Sequence, residues 1–438
     1  MVRPGYKQTE IGVIPEDWET SSLSAAFQKL EAGVSVNSDN SLSSEYHILK
    51  TSAVHDGVVD TAETKPVIPQ GYLRLKCPLV KGSIIISRMN TPALVGECGF
   101  TKDAKAGTYL PDRLWQIQNF NKSSFDFVWL NYLLNTKQYR DAVRATATGT
   151  SNSMKNISKE RMLGIEIPRP PINEQENIAA ALSEVDELIN LVEKQIDKKK
   201  AIKQGAMQEL LTGKRRLPGF SGEWEEKPIS FFGNFISGNC FPIEYQGCPR
   251  GELPFYKVSD FNNAGNSRVM GRANNYISHN IASVLSCKII PKNSVVFAKI
   301  GAAISLERKR ITGFDCCIDN NMMSFLPYQK NIAAYMCYLF QTIRFGEFVE
   351  ATALPSLSGK TIGEIQRIFP PTVEEQIAIA TVLSDLDFEI EALEQKLTKY
   401  RQVKQGMMQQ LLTGKIRLKN DIVDSVHTEQ KATAKKRL

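Results

Sequence analysis

Residues 147–157 and 352–362 of this 438-residue chain are rich in small hydroxyls, amides and lysines. These side-chain types contact phosphates and hydrogen-bond to the edges of nucleic-acid bases, although any solvated loop also contains them. The candidate contact residues in the two segments are Thr150, Ser151, Asn152, Lys155, Asn156, Ser356, Ser358 and Lys360. Because the two segments occupy corresponding places in a repeated sequence, the case for a binding role is as strong as that for an ordinary solvated loop.

Further basic and amide side chains stand at or near the ends of short runs that have the composition of β-strands. Runs 81–88 and 292–299 match each other, and runs 46–52 and 255–260 form a second matching pair. Arginine and asparagine there could read guanine and adenine in the major groove, whereas lysine more often holds a phosphate. The sequence therefore predicts DNA contacts from Arg88, Asn90, Lys257, Lys299 and, within the basic run 308–310, Lys309.

Motifs for catalysis are missing from the chain. It has no Asp/Asn-Pro-Pro-aromatic loop and no glycine-rich cofactor loop, which a DNA adenine methyltransferase would show. Residues 358–361 imitate the end of a phosphate-binding loop, but Leu354 stands where its first glycine is required. Glu225, Glu226 and Lys227 lack the aspartate partner of a metal-dependent nuclease. We expect no catalytic residue and no cofactor bound by this chain.

Composition narrows the class of protein further. The eight cysteines are scattered without a Cys-x-x-Cys pair, and four histidines do not complete a zinc-site spacing, so we expect reduced thiols and no metal. A net charge of +7 is compatible with nucleic-acid binding but does not establish it. The first 18 residues lack the apolar core of a signal peptide, and a cytoplasmic protein is expected.

The chain contains an internal repeat. Residues 174–217 align without a gap onto residues 375–418, at a constant shift of 201, and half of the 44 aligned positions are identical. Each copy predicts one long helix of about 38 residues, or about 57 Å. Prolines and the capping-box pairs Asn173 with Glu176 and Thr372 with Glu375 mark the starts, and Gly213 and Gly414 mark the ends.

Apolar residues recur in both helices at alternating steps of four and three, which is the pattern of a coiled-coil seam. The predicted seam residues are Ile178, Leu182, Val185, Ile189, Val192, Ile196, Ile379, Leu383, Leu386, Ile390, Leu393 and Leu397. Each helix is acidic in its first half and basic in its second. Such charge runs can be mere solvated faces, but two helices polarised alike favour antiparallel pairing, which sets opposite charges side by side.

A divergent region of about 150 residues precedes each helix, and its short β-type runs and helical stretches indicate an α+β globule. Trp18 and Trp224 stand at equivalent places near the two starts, where buried packing is their expected role. The predicted organisation is a first globule (1–168), a first long helix (169–216), a second globule (217–369), a second long helix (370–418) and a basic tail (419–438) expected to be disordered.

The chain resembles the specificity subunits of type I restriction–modification systems over nearly its whole length. The resemblance rests on the opening residues 6–19, on Pro-Pro-Ile-Asn-Glu-Gln at 170–175 and Glu-Glu-Gln at 374–376, and on Leu-Leu-Thr-Gly-Lys at 210–214 and 411–415. It implies two mixed α/β target-recognition domains, each reading half of a split DNA sequence. The two helices would form an antiparallel coiled coil with pseudo-two-fold internal symmetry, acting as a ruler.

The resemblance also implies partners. Two methyltransferase subunits would dock on the coiled coil, and two ATP-driven restriction subunits would complete the assembly, so that S-adenosylmethionine, ATP and magnesium belong to those partners. The recognition domains diverge within the family, and no base contact is transferred from it. Two alternatives stay open from the residues alone: a single-chain DNA methyltransferase or nuclease, which the missing motifs oppose, and a coiled-coil scaffold without DNA specificity, which the basic helices would fit.

Overall fold

A computed structural model describes residues 2–149, 154–349 and 355–418. Two compact units are present: unit 1 comprises residues 1–191 and 397–438, and unit 2 comprises residues 192–396. Each unit therefore contains one globule together with part of each of two long helices. Among the described residues, no helix is long and apolar enough to cross a membrane.

The globule of unit 1 is built from short strands around one larger sheet. The strands are β1 (Tyr6–Thr9), β2 (Gly12–Pro15), β3 (Glu19–Ser22), β4 (Phe27–Ala32), β5 (His47–Leu49), β6 (Val54–His55), β7 (Gly57–Val59), β8 (Thr64–Pro66), β9 (Ile84–Ser87), β10 (Met89–Asn90), β11 (Cys98–Phe100), β12 (Thr108–Tyr109), β13 (Leu114–Phe120), β14 (Ala147–Thr148), β15 (Lys155–Ile157) and β16 (Glu166–Arg169). The main sheet has the order β4-β13-β9-β11-β7-β6, and a three-stranded sheet joins β10, β15 and β14.

Four helices belong to the same globule: α1 (Leu23–Ala26), α2 (Phe127–Leu134), α3 (Lys137–Ala145) and α4 (Lys159–Leu163). The central strand β9 is entirely buried, as its Ile-Ile-Ile-Ser sequence predicts for a strand covered on both faces. Helix α2 begins where Asp126 accepts a hydrogen bond from the backbone N–H of Trp129, and six of its eight residues are buried. The core therefore lies between the main sheet, α2 and the long helices of this unit.

The globule of unit 2 repeats this plan after the first long helix, α5 (Ile172–Leu210). Its strands are β17 (Glu225–Pro228), β18 (Gly233–Ser237), β19 (Leu253–Tyr256), β20 (Val269–Met270), β21 (Tyr276–Ile277), β22 (Val295–Ala298), β23 (Lys309–Thr312), β24 (Cys317–Ile318), β25 (Met322–Pro327) and β26 (Gln366–Phe369). Its helices are α6 (His279–Val284), α7 (Ala333–Gln341) and α8 (Gly359–Gly363), followed by the second long helix, α9 (Val373–Leu411).

Strand order shows that the two globules share one topology. The main sheet of unit 2 runs β18-β25-β22-β23-β20, which matches β4-β13-β9-β11-β7 of unit 1. Within this shared order the pairs β11 with β7 and β23 with β20 are parallel, whereas the central pairs are antiparallel. The matching runs in the sequence become β9 and β22, and the α+β prediction for both globules is confirmed.

The long helices run antiparallel in each unit, as their charge pattern predicts. In unit 1, Lys404 pairs with Asp186 at 2.6 Å. In unit 2, Lys203 pairs with Asp387 at 2.7 Å, and Lys200 pairs with Glu394 at 2.7 Å. The basic second half of one helix therefore lies beside the acidic first half of the other.

Burial of the predicted seam is uneven. Ile178, Leu182, Ile189, Val192, Ile196, Ile379, Leu383 and Ile390 are buried, and Val185, Leu386, Leu393 and Leu397 are half-buried. Further buried apolar residues extend the packing at the ends of the helices: Met207, Leu210, Leu211, Leu411 and Leu412. The helices thus pack on each other and on the globule of their unit.

The predicted helix starts need a correction. Helix α5 begins at Ile172, one residue before Asn173, and the carbonyl of Pro171 accepts hydrogen bonds from the N–H groups of Glu174 and Gln175. Asn173 therefore lies inside the first turn and is not the cap. Thr372 does cap α9 through the N–H of Glu375 at 3.3 Å, but the Glu375 carboxylate binds Arg216 instead of closing a capping box.

Candidate nucleic-acid interface

In unit 1, the end of strand β9 lies against the segment that carries the predicted loop. Strands β10 and β15 pair so that Asn90 lies opposite Lys155 and Met89 opposite Asn156. The N–H of Ile157 donates to the carbonyl of Arg88 at 2.9 Å. The fold therefore brings together Arg88, Asn90, Lys155 and Asn156, which the sequence predicts as DNA contacts from positions more than 60 residues apart.

The side chains at this junction are held to different extents. The guanidinium of Arg88 lies over the Trp115 ring, 5.6 Å from its centroid, and its Nε is buried without a hydrogen-bond partner. Asn90 donates to Ser87 Oγ at 3.2 Å, and Lys155 Nζ donates to the carbonyl of Gly149 at 2.7 Å. Asn156 is exposed. Thr150, Ser151 and Asn152 lie outside the described residues.

Unit 2 has the same junction with other residues. Ile300 forms a β-bridge with Ser356, and the N–H of Leu357 donates to the carbonyl of Lys299 at 2.8 Å. Ser356 is exposed, and Lys299 is half-exposed. Ser358 caps the five-residue helix α8 by accepting a hydrogen bond from the N–H of Lys360. The ammonium of Lys360 is exposed and lies 3.9 Å from the Glu364 carboxylate. Residues 358–361 thus start a short helix.

Two more residues, Arg113 and Asn321, belong to these junctions and were not predicted from the sequence. The N–H of Arg88 donates to the carbonyl of Arg113 at 3.0 Å, and in unit 2 the N–H of Lys299 donates to the carbonyl of Asn321 at 2.8 Å. Arg113 and Asn321 immediately precede the equivalent strands β13 and β25. Both are exposed, and no motif in the sequence marks them; only the strand order places them beside β9 and β22.

Lys257 follows strand β19 and is connected to the same junction. Its N–H donates to Asp260 Oδ2 at 2.6 Å, and its Nζ donates to Gln246 at 2.9 Å. Burial raises the pKa of the nearby Asp319 carboxyl, against hydrogen bonds from Asn321 and the positive charge of Lys257. Hydrogen bonds run from the carbonyl of Tyr256, the residue before Lys257, through Asp319 and Asn321 to Lys299.

The structure excludes Lys309 from the interface. Its side chain is 1% exposed, forms an ion pair with Glu307 and donates to the carbonyl of Ile343 at 3.0 Å. Burial lowers the pKa of its ammonium, against the effect of the Glu307 carboxylate. The prediction that Lys309 contacts DNA is wrong, because the β-strand alternation turns it into the core beneath Phe345.

The Glu-Gln motifs in the first turns of the two long helices have a structural role. In unit 1, Glu174 accepts hydrogen bonds from Trp18 Nε1 at 2.9 Å and from Arg417 Nη2 at 2.7 Å. In unit 2, Glu375 accepts two hydrogen bonds from Arg216, both at 2.6 Å. Each arginine follows the Leu-Leu-Thr-Gly-Lys sequence at the end of one helix and binds the start of the other.

The glycines of those endings also have a structural reason. Gly213 and Gly414 have φ values of 71° and 67°, which favour glycine. A side chain at Gly213 would stand 3.2 Å from the Trp224 ring, and one at Gly414 would stand 3.1 Å from the Trp18 ring. Trp18 and Trp224 are therefore structural counterparts, as the sequence suggests. Trp18 is fully buried and Trp224 half-buried.

A second repeated contact ties each globule to the helices of its unit. Tyr132 donates to Asp186 at 2.6 Å, and Tyr338 donates to Asp387 at 2.7 Å. Burial raises the pKa of the Tyr132 hydroxyl well above its usual value, and the hydrogen bond to the Asp186 carboxylate raises it further. Because Lys404 and Lys203 pair with the same two aspartates, each contact joins a globule helix to both long helices.

The described residues carry neither a cluster of metal ligands nor an activated thiol. No group of three or more His, Cys, Asp or Glu side chains there could hold a metal ion. All eight cysteines are free thiols, and five of them are buried. Burial raises the pKa of Cys77 to about 11, so that this thiol stays protonated near neutral pH.

A comparison with known families decides the relationship. The sequence profile of the type I restriction modification DNA specificity domain matches twice, over residues 15–201 and 221–400. The chain belongs to the type I restriction–modification specificity family. The two matches coincide with the two copies of globule and helix that the internal repeat defines.

Relatives in this family match nearly the whole chain. A putative type I restriction enzyme MjaX specificity subunit from Methanocaldococcus jannaschii is 25% identical over 434 residues, covering 94% of this chain and 97% of the relative. The MjaVIII specificity subunit of the same organism is 23% identical and covers 93% and 95%. The fold is similar to that of a type I system S subunit from M. genitalium, with TM-score 0.57, 17% identity and coverage of 90% and 96%.

Proposed function

We propose that this specificity subunit reads a bipartite DNA target, with one globule for each half-site. The observation that carries the proposal is the repeated junction between a strand end and a loop segment. It is built on the same strand order in both units but carries different side chains: Arg88, Asn90 and Lys155 in unit 1, and Lys299 and Ser356 in unit 2. A shared scaffold with changed polar residues suits two different sequences.

The long helices would set the distance between the half-sites. Antiparallel pairing supports this role, because it would present the two globules to DNA in inverted orientations, about one helical turn apart. Nonspecific spacer DNA would lie between the half-sites. In this proposal residues 1–168 and 217–369 form the recognition domains, and residues 169–216 and 370–418 form the ruler.

The same helices offer two equivalent surfaces for methyltransferase subunits. Ile202 and Val403 differ by the repeat shift of 201 and are 45% and 43% exposed. An apolar side chain left exposed at the same place in both repeats supports docking of two copies of one partner. Restriction subunits would join these to complete the assembly.

Catalysis and cofactors would belong to those partners. The chain lacks the methyltransferase and phosphate-binding motifs, which supports a non-catalytic subunit. S-adenosylmethionine, ATP and magnesium would then bind to the modification and restriction subunits. Because its substrate would be chromosomal DNA, the proposal places the chain in the cytoplasm.

The test is co-expression with the neighbouring methyltransferase, followed by mapping of methylated adenines across the host genome. We expect a split motif that disappears when this chain is omitted. Exchange of residues 217–369 for the second globule of another family member should change one half of the motif and leave the other half intact. Methylation that does not depend on this chain would overturn the proposal and favour the scaffold alternative.

A further inference from the structure

Segment 262–275 of unit 2 is held by a buried polar network. Asp260 and Asn266, which anchor it, are both fully buried. Asp260 Oδ1 accepts from Asn263 Nδ2 at 3.1 Å and from the N–H of Asn274 at 2.8 Å. Its other oxygen accepts from the N–H of Lys257 at 2.6 Å. The carboxylate therefore fixes the segment to the end of strand β19.

Asn266 completes the network from within the segment. Its Oδ1 accepts from the N–H groups of Gly271 at 2.9 Å and Arg272 at 3.1 Å. Its Nδ2 donates to the carbonyls of Asp260 and Arg272, both at 2.8 Å. All four hydrogen bonds available to this buried amide are made, which fixes the backbone at Arg272.

The network leaves polar side chains on the surface. Asn262, Ser267, Arg272 and Asn274 are exposed, and in the part of the chain that the structure describes the Arg272 side chain makes no hydrogen bond or ion pair. The segment contains no acidic residue, and one of its two arginines, Arg268, packs over the Phe388 ring and lies 3.9 Å from Asp387. Arg272 is the exposed arginine of the segment, and Arg308 joins it through Asn262 at 2.6 Å. A rigid, basic surface of this kind loses little entropy when it binds DNA.

The matching segment of unit 1 is different. Strands β7 and β20 occupy equivalent places, each parallel to its neighbour in the main sheet. Around β7, residues 54–64 include Asp56, Asp60 and Glu63 and contain no arginine or lysine. Acidic side chains would repel the DNA backbone. The basic, pre-organised segment is therefore a property of unit 2 alone.

We propose that segment 262–275 is a second base-reading element of unit 2 and that Arg272 reads a guanine in the half-site of that unit. This inference rests on the proposed function. The segment is continuous with the junction described above, because Asp260 accepts a hydrogen bond from the N–H of Lys257. Further hydrogen bonds lead from the neighbouring Tyr256 through Asp319 and Asn321 to Lys299. An exposed arginine on a fixed backbone is suited to the O6 and N7 acceptors of guanine.

The experiment uses the full chain co-expressed with its methyltransferase and compares methylated motifs across the genome for Arg272→Ala, Arg272→Lys and wild type. Arg272→Ala should lower the discrimination at one guanine of the unit 2 half-site by about tenfold or more, and leave the unit 1 half-site unchanged. Arg272→Lys should lose the same discrimination, because lysine keeps the charge but not the bidentate geometry.

Arg367→Ala serves as the matched control, because Arg367 lies on β26 in a separate two-stranded sheet. This variant should leave every base of the recognised motif unchanged. Rescue by Arg272→Lys, or a uniform loss of methylation at all sites, would show a phosphate contact and overturn the base-reading role. An unchanged motif in Arg272→Ala would overturn it as well. A wild-type chain that directs no split motif would instead contradict the proposed function itself.

Discussion

At the scale of single residues, arginines have two separate roles in this chain. Arg216 and Arg417 bind glutamates at the helix starts and are structural, whereas Arg88, Arg113 and Arg272 lie on surfaces with no carboxylate bound to them in the described residues. Residue type alone does not separate these roles. What separates them is whether a buried carboxylate stands within reach, because such a carboxylate requires a permanent partner.

Arg216→Ala should lower the free energy of unfolding by about 3 kcal/mol, because it leaves the buried Glu375 carboxylate without its partner. The adjacent Arg215→Ala is the control, since Arg215 and its partner Glu209 are 63% and 47% exposed and their pair should contribute less than about 1 kcal/mol. Urea unfolding followed by circular dichroism measures both. Equal losses in the two variants would contradict the structural role of the Glu375 pair.

At the scale of elements, the two long helices combine packing and charge in one register. The two units contain equivalent ion pairs, Lys404 with Asp186 in unit 1 and Lys203 with Asp387 in unit 2. In each pair the aspartate also accepts a hydrogen bond from a tyrosine of the adjoining globule. The register is therefore fixed by partly buried polar contacts as well as by the apolar seam. A change in helix length that preserves the seven-residue repeat should leave these contacts intact.

Removing one heptad from each helix, residues 189–195 and their register partners 395–401, should shorten the preferred spacer by about three base pairs. The reason is that seven helical residues span about 10 Å and each base pair about 3.4 Å. The measurement is the methylated motif of the deletion variant co-expressed with the methyltransferase. Lys198→Ala, an exposed change on the same helix that keeps its length, is the control and should keep the spacer. An active deletion variant with an unchanged spacer would contradict the ruler.

At the scale of the whole molecule, the chain is two versions of one unit with the same strand order and different surfaces. Trp18 and Trp224, Glu174 and Glu375, and Gly213 and Gly414 keep equivalent structural places. The surface segments do not: 262–275 is basic and 54–64 is acidic. We therefore expect the shared surfaces to bind equivalent partners and the divergent surfaces to recognise different DNA bases.

Ile202→Asp and Val403→Asp should each remove one of two methyltransferase copies, and the double variant should remove both. A charge at either exposed position would be buried unpaired against the partner at a cost of several kcal/mol. Native mass spectrometry of the co-purified complex measures the stoichiometry. Leu306→Asp is the control, because Leu306 is 56% exposed but lies on a globule. Two bound copies in the double variant would contradict docking at these positions.

The sequence by itself determined the repeat, the two α+β globules and the antiparallel helices. These features follow from periodicity and charge, which are local patterns that a helix or strand must obey wherever it packs. The sequence also indicated Arg88, Asn90, Lys155 and Asn156 as separate candidates, but the fold decided that β10 and β15 pair.

Only the tertiary structure decided which polar residues face solvent and which are buried. It buried Lys309 within a basic run, bound Glu174 and Glu375 at the helix starts to arginines, and placed Arg113 and Asn321 at the junctions. It also showed that the asparagines around Asp260 form a closed network that fixes Arg272. Burial and hydrogen-bond partners come from strands far apart in the chain, and residue type carries no record of which strands will be neighbours.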